Sequence, residues 1–266
     1  MVLMKVNRIK STEMNESSWC QKLRAAGLHF LISIIVASFV ATILLSLWYP
    51  GDYRDVAGGR SLFSVMLGSY ICLGPLMTFV VFDTRKSATI LKQDFLLVVL
   101  LQTAALIYGI SVAAEARPVA LVFSVDRFTL VSANNVRQEE LPQAAPKFQR
   151  LPWTGPQVLA TRLSAGNETF DAVLLASQGY DLAQRPIYWE PLLKQQQQAY
   201  LRAKPLSALL SRYSLSGPEF CTIYLPFPCA AHEIRFLPLE ARRRNWVILL
   251  GPFGKILGFA PFDGFE

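Results

Sequence analysis

Long uncharged stretches constrain this chain more than any other feature of its sequence. No Asp, Glu, Lys or Arg occurs in residues 25–51, 61–82 and 95–114. At about 1.5 Å of rise per residue, each stretch is long enough to cross a hydrocarbon layer of about 30 Å as a helix. Polar and apolar residues do not alternate along them, as they would in a membrane β-barrel. A soluble cytosolic enzyme is therefore excluded, and the sequence predicts membrane-spanning helices over about 28–48, 62–82 and 95–114.

The distribution of basic residues predicts how these helices are oriented. Short loops rich in Lys and Arg stay in the cytoplasm. Basic residues beside the predicted spans are Lys5, Arg8, Lys10, Lys22, Arg24, Arg85, Lys86 and Lys92. The N-terminus (1–24) and the loop 83–94 are therefore expected to be cytoplasmic. Three crossings then place residues 115–266 in the periplasm of a bacterium, with the protein in the inner membrane.

The first apolar stretch is predicted to be a retained anchor instead of a cleaved signal peptide. It is longer than the usual apolar region of a signal peptide, and Trp48-Tyr49-Pro50 closes it without a small-x-small cleavage site. The predicted membrane region therefore covers 25–114. Residues 1–13 carry no apolar pattern that a fold would need, so we expect a chain that starts at Met14 to be functional.

Residues 115–266 have the size and charge balance of one small soluble domain, with 16 Lys and Arg against 13 Asp and Glu, a net charge of +3. The segment 119–133 is typical of a β-hairpin, and a short helix is predicted from Pro156 to about Leu163. Residues 191–213 have an interrupted helical period, and Pro205 is expected either to divide it into two helices or to kink one helix. The predicted C-terminal strands are Ile234–Glu240, Trp246–Leu250 and Lys255–Phe259. The predicted fold class is a three-helix membrane unit followed by a small α+β soluble domain.

Small and polar residues inside the spans indicate how the helices meet. Gly74-Pro75 predicts a kink in the second span, which serves either packing or the lining of a ligand site. Gln102 is the only amide side chain in the three stretches and is expected to form a helix-to-helix hydrogen bond. Gly68, Ser69 and Gly74 would allow another helix to approach closely.

The sequence argues against catalysis. His29 and His232 fall on opposite sides of the predicted membrane and cannot share a site. Metal-binding, redox, acyl-transfer and nucleotide-binding motifs are missing from the sequence, and adjacent acids such as Glu139-Glu140 are usually solvated. We therefore expect no cofactor, no metal and no enzymatic activity. The modest charge of the outer domain gives no reason to expect nucleic-acid binding.

Two further features of the outer domain are candidates for a structural or functional role, namely a pair of cysteines and a cluster of arginines. Cys221 and Cys229 share the oxidising compartment and enclose seven residues, so a structural disulfide is expected, with two free thiols as the alternative. The cluster Arg242-Arg243-Arg244 is either a solvated turn or a contact for anionic lipid headgroups or an acidic partner surface.

An ordered series of short segments covers most of the chain and carries a family resemblance. The segments are His29-Phe-Leu-Ile-Ser33, Trp48-Tyr49-Pro50-Gly51, Leu73-Gly-Pro-Leu76 with Thr78, Leu101-Gln102, Tyr108-Gly109, Ala116-Arg-Pro118, Val125-Asp-Arg-Phe128, Asp181-Leu182 and Arg185-Pro186. In this series the chain resembles the type IV pilin accessory proteins of the TfpX/TfpZ type. The motif residues that the resemblance singles out are Gly74, Pro75, Thr78, Gln102, Tyr108, Arg117, Pro118, Asp126, Arg127, Arg185 and Pro186.

The chain departs from the family pattern at two places. Ser69-Tyr70 stands where the family has an acidic residue shortly before the Gly-Pro-Leu of span two, and residues 261–265 replace a tail that often contains Pro-x-Asp-Pro-Trp. The first departure weakens any expectation of a polar role for span two.

The resemblance implies an inner-membrane helper encoded beside a major pilin. Such a protein would act on the stability, assembly or dynamics of that pilin, in the manner of a pilin-specific chaperone, with the major pilin subunit and membrane lipids as partners. It implies no catalytic residues.

Two alternatives from other functional classes remain at this stage. An envelope enzyme that modifies pilin would need titratable residues near the membrane surface, and Asp52, Asp55, Glu115 and Arg117 are the few candidates. A membrane sensor would need an output domain, for which the predicted cytoplasmic parts are too short. A pilin gene beside this one would favour the accessory function over both.

Overall fold

A computed structural model of the protein describes residues 2–83, 85–164, 168–225 and 231–265. Contacts within the chain divide it into two compact units. One, the membrane unit, consists of Met1–Leu44 and Ser61–Ala113, and the other, the soluble unit, consists of Leu45–Arg60 and Ala114–Glu266.

Long helices dominate the first part of the chain: α1 (Val2–Trp48), α3 (Gly59–Val81) and α4 (Ala88–Ala116). Among the described residues, three helical segments are long and apolar enough to cross a membrane, namely Trp19–Trp48, Gly59–Val81 and Ala88–Ala116. Large apolar side chains such as Ile35, Val65 and Leu100 are more than half exposed on them, as expected for surfaces that face lipid. The prediction of three apolar membrane helices is confirmed.

The connection between α1 and α3 belongs to the soluble unit, although the sequence analysis includes it in the membrane region. It contains the one-turn helix α2 (Tyr53–Val56). Tyr49 and Val56 are each only 1% exposed, and Val56 packs in a core cluster with Leu121 and Phe128. Apolar side chains of this connection therefore complete the core of the soluble unit, which local sequence patterns cannot show.

The soluble unit is built on one mixed sheet. Its strands are β1 (Pro118–Ser124), β2 (Arg127–Ser132), β3 (Gln157–Thr161), β4 (Trp189–Pro191), β5 (Lys204–Pro205), β6 (Arg235–Glu240), β7 (Trp246–Leu250) and β8 (Ile256–Ala260). In the described part of the chain the strand order is β4-β3-β1-β2-β6-β7-β8, and β5 pairs with β6. The β1–β3 and β2–β6 pairs are parallel and the others are antiparallel.

Both predicted strand regions are confirmed. Strands β1 and β2 form the expected antiparallel hairpin, with Phe123 opposite Phe128. Val125 in its turn has a φ of 56°, a conformation that β-branched residues rarely adopt. The three predicted C-terminal strands correspond to β6, β7 and β8, and the structure shows that β7 pairs antiparallel with both of the others.

The predicted helix from Pro156 to about Leu163 is wrong. Residues Gln157–Thr161 form β3, which pairs in parallel with β1 and antiparallel with β4. Leu159 and Ala160 are buried on the two faces of the sheet. Hydrogen bonds to two strands and burial on both faces outweigh the weak helix-start signal of Gly155-Pro156.

Helices of the soluble unit are α5 (Glu168–Ser177), α6 (Gln196–Arg202), α7 (Leu206–Tyr213) and α8 (Gly217–Tyr224). The helix pair divided at Pro205 is confirmed by α6 and α7. The sequence analysis missed α8, although Ser216 caps it by accepting a hydrogen bond from the Glu219 amide at 3.3 Å. A Ser residue followed by Pro in the first turn is a recognisable helix start.

Alternating residues of the central strands divide the core between the two faces of the sheet. On β7, Ile248 and Leu250 face the cluster that contains Val56, whereas Val247 and Leu249 face a cluster under α7 and α8. Because both of its faces are covered, β7 is apolar along its whole length.

Candidate functional site

Polar side chains from all three membrane helices meet in one cluster, which we call the polar cluster: His29 and Ser33 of α1, Thr78 of α3 and Gln102 of α4. His29 Nδ1 lies 2.5 Å from Thr78 Oγ1, and His29 Nε2 lies 2.6 Å from Gln102 Oε1. The Gln102 amide nitrogen donates to Ser33 Oγ at 3.0 Å. The helix-to-helix hydrogen bond expected for Gln102 is present, and it is part of a larger network.

The hydrogen bonds of the polar cluster are compatible with one uncharged arrangement. With a proton on His29 Nε2, the imidazole donates to Gln102 Oε1 and accepts the Thr78 hydroxyl proton at Nδ1. Gln102 then donates onward to Ser33. Every bond in the network has one donor and one acceptor, so these side chains satisfy one another without a charged residue.

Gly74 and Pro75 are both buried in α3, and Gly74 lies directly beside Gln102 of the polar cluster. A Cβ atom on Gly74 would collide with the side-chain amide of Gln102. The absence of a side chain at Gly74 therefore allows α4 to approach α3 at this level. A Cβ on Gly68 would meet nothing within 4 Å, so the close approach expected there is not observed.

The hydrogen bonds of the polar cluster connect all three membrane helices. Hydrogen bonds between membrane helices contribute about 0.6 kcal/mol each on average. In the described part of the chain, no group of three or more His, Cys, Asp or Glu side chains could hold a metal ion.

Tyr108 lies elsewhere in the membrane unit, on a groove between α3 and α4. The groove has a volume of about 240 Å³ and is lined by Leu62, Met66, Ser69, Tyr70, Leu73, Ala105, Tyr108, Gly109 and Val112. Tyr108 itself is 71% exposed. Its hydroxyl lies on a mainly apolar groove, whose lining also includes the hydroxyl-bearing residues Ser69 and Tyr70.

Arg117 and Pro118 stand where the first strand of the soluble unit begins. Arg117 is buried, donates to the carbonyl oxygens of Ala114 and Pro152, and lies over the ring of Trp153 at 4.3 Å. Burial lowers the pKa of the Arg117 guanidinium. Pro118 pairs with Ser132 in the β1–β2 ladder. These two residues fix the entry into the sheet and do not form a site.

Asp126 and Arg127 occupy the exposed turn of the β1–β2 hairpin. Their side chains form an ion pair of 3.0 Å, and both are more than one-third exposed. Arg127 also lies over the ring of Phe265 at 5.2 Å. An exposed pair of this kind contributes at most about 1 kcal/mol to stability.

Arg185 forms a buried ion pair with Glu140, for which the sequence predicts a solvated side chain. Arg185 Nη2 lies 2.8 Å from Glu140 Oε1, and Arg185 Nε donates to the same oxygen at 2.9 Å. The side chains are 5% and 9% exposed. Pro186 is buried and starts a 3-10 turn that ends at Tyr188, whose ring lies 4.8 Å from the Arg185 guanidinium. Solvation of Glu140 is therefore a wrong expectation, because a contact with Arg185 buries it.

The cluster Arg242, Arg243 and Arg244 is exposed between β6 and β7. Arg243 runs alongside Gly58, where a Cβ would lie 3.2 Å from Arg243 Cδ. Arg244 lies over the Trp246 ring at 5.0 Å. The Arg243 stem and the Arg244 guanidinium therefore pack on the soluble unit, and contact of the cluster with lipid or an acidic partner stays a prediction.

The predicted disulfide involves one residue that the structure describes. Cys221 is buried in α8, within the cluster that contains Phe220 and Leu249. Cys229 lies outside the described residues, so the pairing of Cys221 with Cys229 stays a prediction.

The motif residues are thus distributed over both units, and only some of them come together. Thr78 and Gln102 belong to the polar cluster, to which His29 and Ser33 contribute from α1, and Gly74 lies beside it. The signal for this cluster is present in the sequence, because His29 and Ser33 are four residues apart and lie on one helix face.

Comparisons with known proteins give one consistent description. A family model for the fimbrial assembly protein FimB matches residues 17–58 of the chain. The fimbrial assembly proteins of serogroups I and E1 from Dichelobacter nodosus are each 32% identical over 256 residues, which is 95% of this chain and 100% of each relative. The protein of serogroups C1 and C2 from the same organism is 36% identical over 131 residues, 49% of this chain and 100% of the relative. No solved structure matches the chain.

Proposed function

The chain belongs to the family of fimbrial assembly proteins, and we propose that it binds the type IV pilin subunit in the inner membrane and supports its assembly into pili. The observation that carries this proposal is the similarity to fimbrial assembly proteins over 95% of the chain. That similarity covers both units, so the proposed function draws on the membrane helices and on the soluble domain. We also propose that the chain is a pilin accessory protein of the TfpX/TfpZ type, which it resembles in sequence.

The architecture of the protein fits such a partner. A major pilin is expected to have one apolar anchoring helix and a soluble head, so a protein that binds it before assembly needs a surface in each environment. The membrane unit offers a groove between α3 and α4 of about 240 Å³, and the soluble unit offers a folded domain built on a mixed sheet. A partner with this architecture could be held by both.

We propose that the N-terminus is cytoplasmic and the soluble unit periplasmic, which places that unit beside the pilin head. The basic residues before the first span and in the loop 83–94 support this orientation. Alkaline phosphatase fused after Ala133 is expected to be active, and the same reporter fused at Ser87 is expected to be inactive. The reverse pattern would invert the orientation and remove the basis for a disulfide.

The proposed action is non-enzymatic. Deletion of the gene should reduce surface pili and pilus-dependent motility, while the intact mass of the remaining pilin stays unchanged. Cross-linking from the protein in its own membrane should capture pilin. A change in the pilin mass on deletion, by a glycan or another group, would instead support a modifying enzyme and refute this proposal.

The polar cluster provides a matched pair of variants for the same assay. Gln102→Leu removes the side chain that links α1 to α4, whereas Thr103→Leu changes its exposed neighbour. Gln102→Leu should complement the deletion poorly and Thr103→Leu should complement it fully. Equal complementation would show that the polar cluster does not matter for pilus assembly.

A further inference from the structure

A polar cleft in the soluble unit lies beside the buried ion pair of Arg185 and Glu140. Its volume is about 470 Å³. Arg137, Glu140 and Arg185 line it on one side, and Asp171 and Leu174 of α5 line it on the other. All of these residues belong to the soluble unit.

Several polar atoms around this cleft have unused hydrogen-bonding capacity. Among the residues that the structure describes, Arg137 Nη1, Arg185 Nη1 and Glu140 Oε2 are buried and have no hydrogen-bond partner. Buried donors and acceptors are nearly always satisfied in folded proteins, so unsatisfied atoms around one cleft require an explanation. Two donors and one acceptor remain for a ligand, which must therefore offer both an acceptor and a donor.

This donor and acceptor pattern selects the chemistry of the ligand. A peptide group brings a carbonyl oxygen for the guanidinium groups and an N–H for the Glu140 carboxylate. A phosphate or an anionic lipid headgroup would satisfy the arginines but would also lie beside three acids, Glu139, Glu140 and Asp171. Those acids outnumber the two arginines of the lining, so the charge balance favours a polypeptide over an anionic lipid.

The helix next to the cleft, α5, has an exposed apolar surface on which the apolar side chains of a bound peptide could pack. Phe170, Val173 and Leu174 of α5 are 74%, 67% and 48% exposed. Their spacing places them on one helix face. Leu174 belongs both to this face and to the cleft lining, so the polar and apolar surfaces are continuous.

We propose that the cleft and the apolar face of α5 bind an extended segment of the pilin subunit. Peptide groups of the segment bond to Arg137, Arg185 and Glu140, and its apolar side chains pack on α5. This inference rests on the proposed function, because it names the surface through which the soluble unit holds that partner.

Site-specific photocross-linking tests the location. The photoreactive residue benzoylphenylalanine replaces Leu174 in one full-length protein and Leu193 in a control, since Leu193 is 82% exposed and does not line the cleft. With pilin present in the same membranes, Leu174 should give a pilin adduct and Leu193 should not. A lipid adduct at Leu174 without a pilin adduct, or equal pilin adducts at both positions, would overturn the proposal.

Binding measurements test the chemistry. The full-length protein in lipid nanodiscs is titrated with overlapping synthetic peptides that cover the pilin sequence, and fluorescence anisotropy reports their affinity. Glu140→Gln replaces the unsatisfied carboxylate acceptor with an amide and should lower the affinity for the peptide about tenfold. Leu174→Asp should weaken it similarly without touching the ion pair, and Leu193→Asp should leave it unchanged.

The outcomes separate this inference from the proposed function. If Glu140→Gln unfolds the soluble unit, the comparison of Leu174→Asp with Leu193→Asp still shows whether the peptide binds in the cleft. Peptide binding that Leu174→Asp leaves intact would mean that the peptide does not lie in the cleft beside Leu174, and the cleft assignment would fail while pilin binding stands. If neither the peptides nor intact pilin bind the wild-type protein, the proposed function itself fails.

Discussion

In the membrane unit the helices are joined by a few polar side chains, whereas in the soluble unit the strands are joined by a hydrogen-bonded backbone ladder and buried apolar side chains. The polar cluster of His29, Ser33, Thr78 and Gln102 links α1, α3 and α4. By contrast, β1 and β7 are buried along their entire length. Lipid leaves little apolar driving force between helices, while water supplies a large one to the sheet. The two units should therefore respond to different substitutions.

The largest effect is expected from a core substitution in the soluble unit. Phe128 is fully buried, and its ring lies 5.3 Å from that of Phe123. Phe128→Ala should lower the free energy of unfolding by about 3–5 kcal/mol, as measured by chemical unfolding of the purified protein in detergent. Phe253→Ala is the control, because Phe253 is 86% exposed and its loss should change stability by less than about 0.5 kcal/mol. A small effect at Phe128 would contradict the core assignment.

In the membrane unit, the most sensitive position should be a glycine instead of a large apolar residue. Gly74→Val would push a side chain into the Gln102 amide and separate α3 from α4, at a cost of about 2–3 kcal/mol from overpacking and lost hydrogen bonds. Gly68→Val meets open space and should be tolerated. Disulfide trapping between cysteines placed on α3 and α4 would measure the separation. Equal trapping in both variants would show that Gly74 does not set this contact.

Substitutions in the connection 45–60 test whether this segment belongs to the soluble unit or to the membrane unit. Val56 is 1% exposed and packs with the soluble core, although it lies in sequence between two membrane helices. Val56→Ala should therefore destabilise the soluble unit by about 1–2 kcal/mol, without altering helix trapping in the membrane unit. Val173→Ala is the control, because Val173 is 67% exposed. Altered trapping with an unchanged soluble unit would assign the connection to the membrane region.

Ionisation of Tyr49, in the same connection, should have a smaller and pH-dependent effect on the stability of the soluble unit. Burial raises the pKa of Tyr49 to about 12, although Arg242 and Arg117 act in the opposite direction. The unfolded phenol ionises near pH 10 and the folded one near pH 12, so its stabilising contribution is complete below pH 10 and is lost as the pH rises towards 12.

At about pH 10.5, ionisation of Tyr49 should lower the free energy of unfolding by less than about 1 kcal/mol. Chemical unfolding at that pH and at pH 8 measures this difference. Tyr49→Phe removes the ionisable group and should reduce this pH dependence, although Tyr53, whose pKa burial also raises to about 12, should retain its own share. An ordinary phenolate titration for Tyr49, followed by ultraviolet absorbance, would contradict its burial in the soluble unit.

The sequence alone determined the features whose physical cause is local. Charge-free stretches specify membrane helices because each residue must leave water for lipid. The hairpin around Asp126-Arg127 and the C-terminal strands follow from short β-branched runs broken by turn residues. Gln102 could be assigned to a helix contact because an isolated amide in lipid needs a partner.

Tertiary structure decided the features that depend on residues far apart in the chain. The partners of Gln102 and Thr78 lie on α1, separated from them by 73 and 49 positions respectively, and Glu140 is separated from Arg185 by 45. Residues Gln157–Thr161 became a strand because β1 and β4 were there to pair with them. The connection 45–60 joined the soluble unit because its apolar side chains filled that core. Local patterns fix what a segment can form, whereas burial against distant residues fixes which possibility has the lowest free energy.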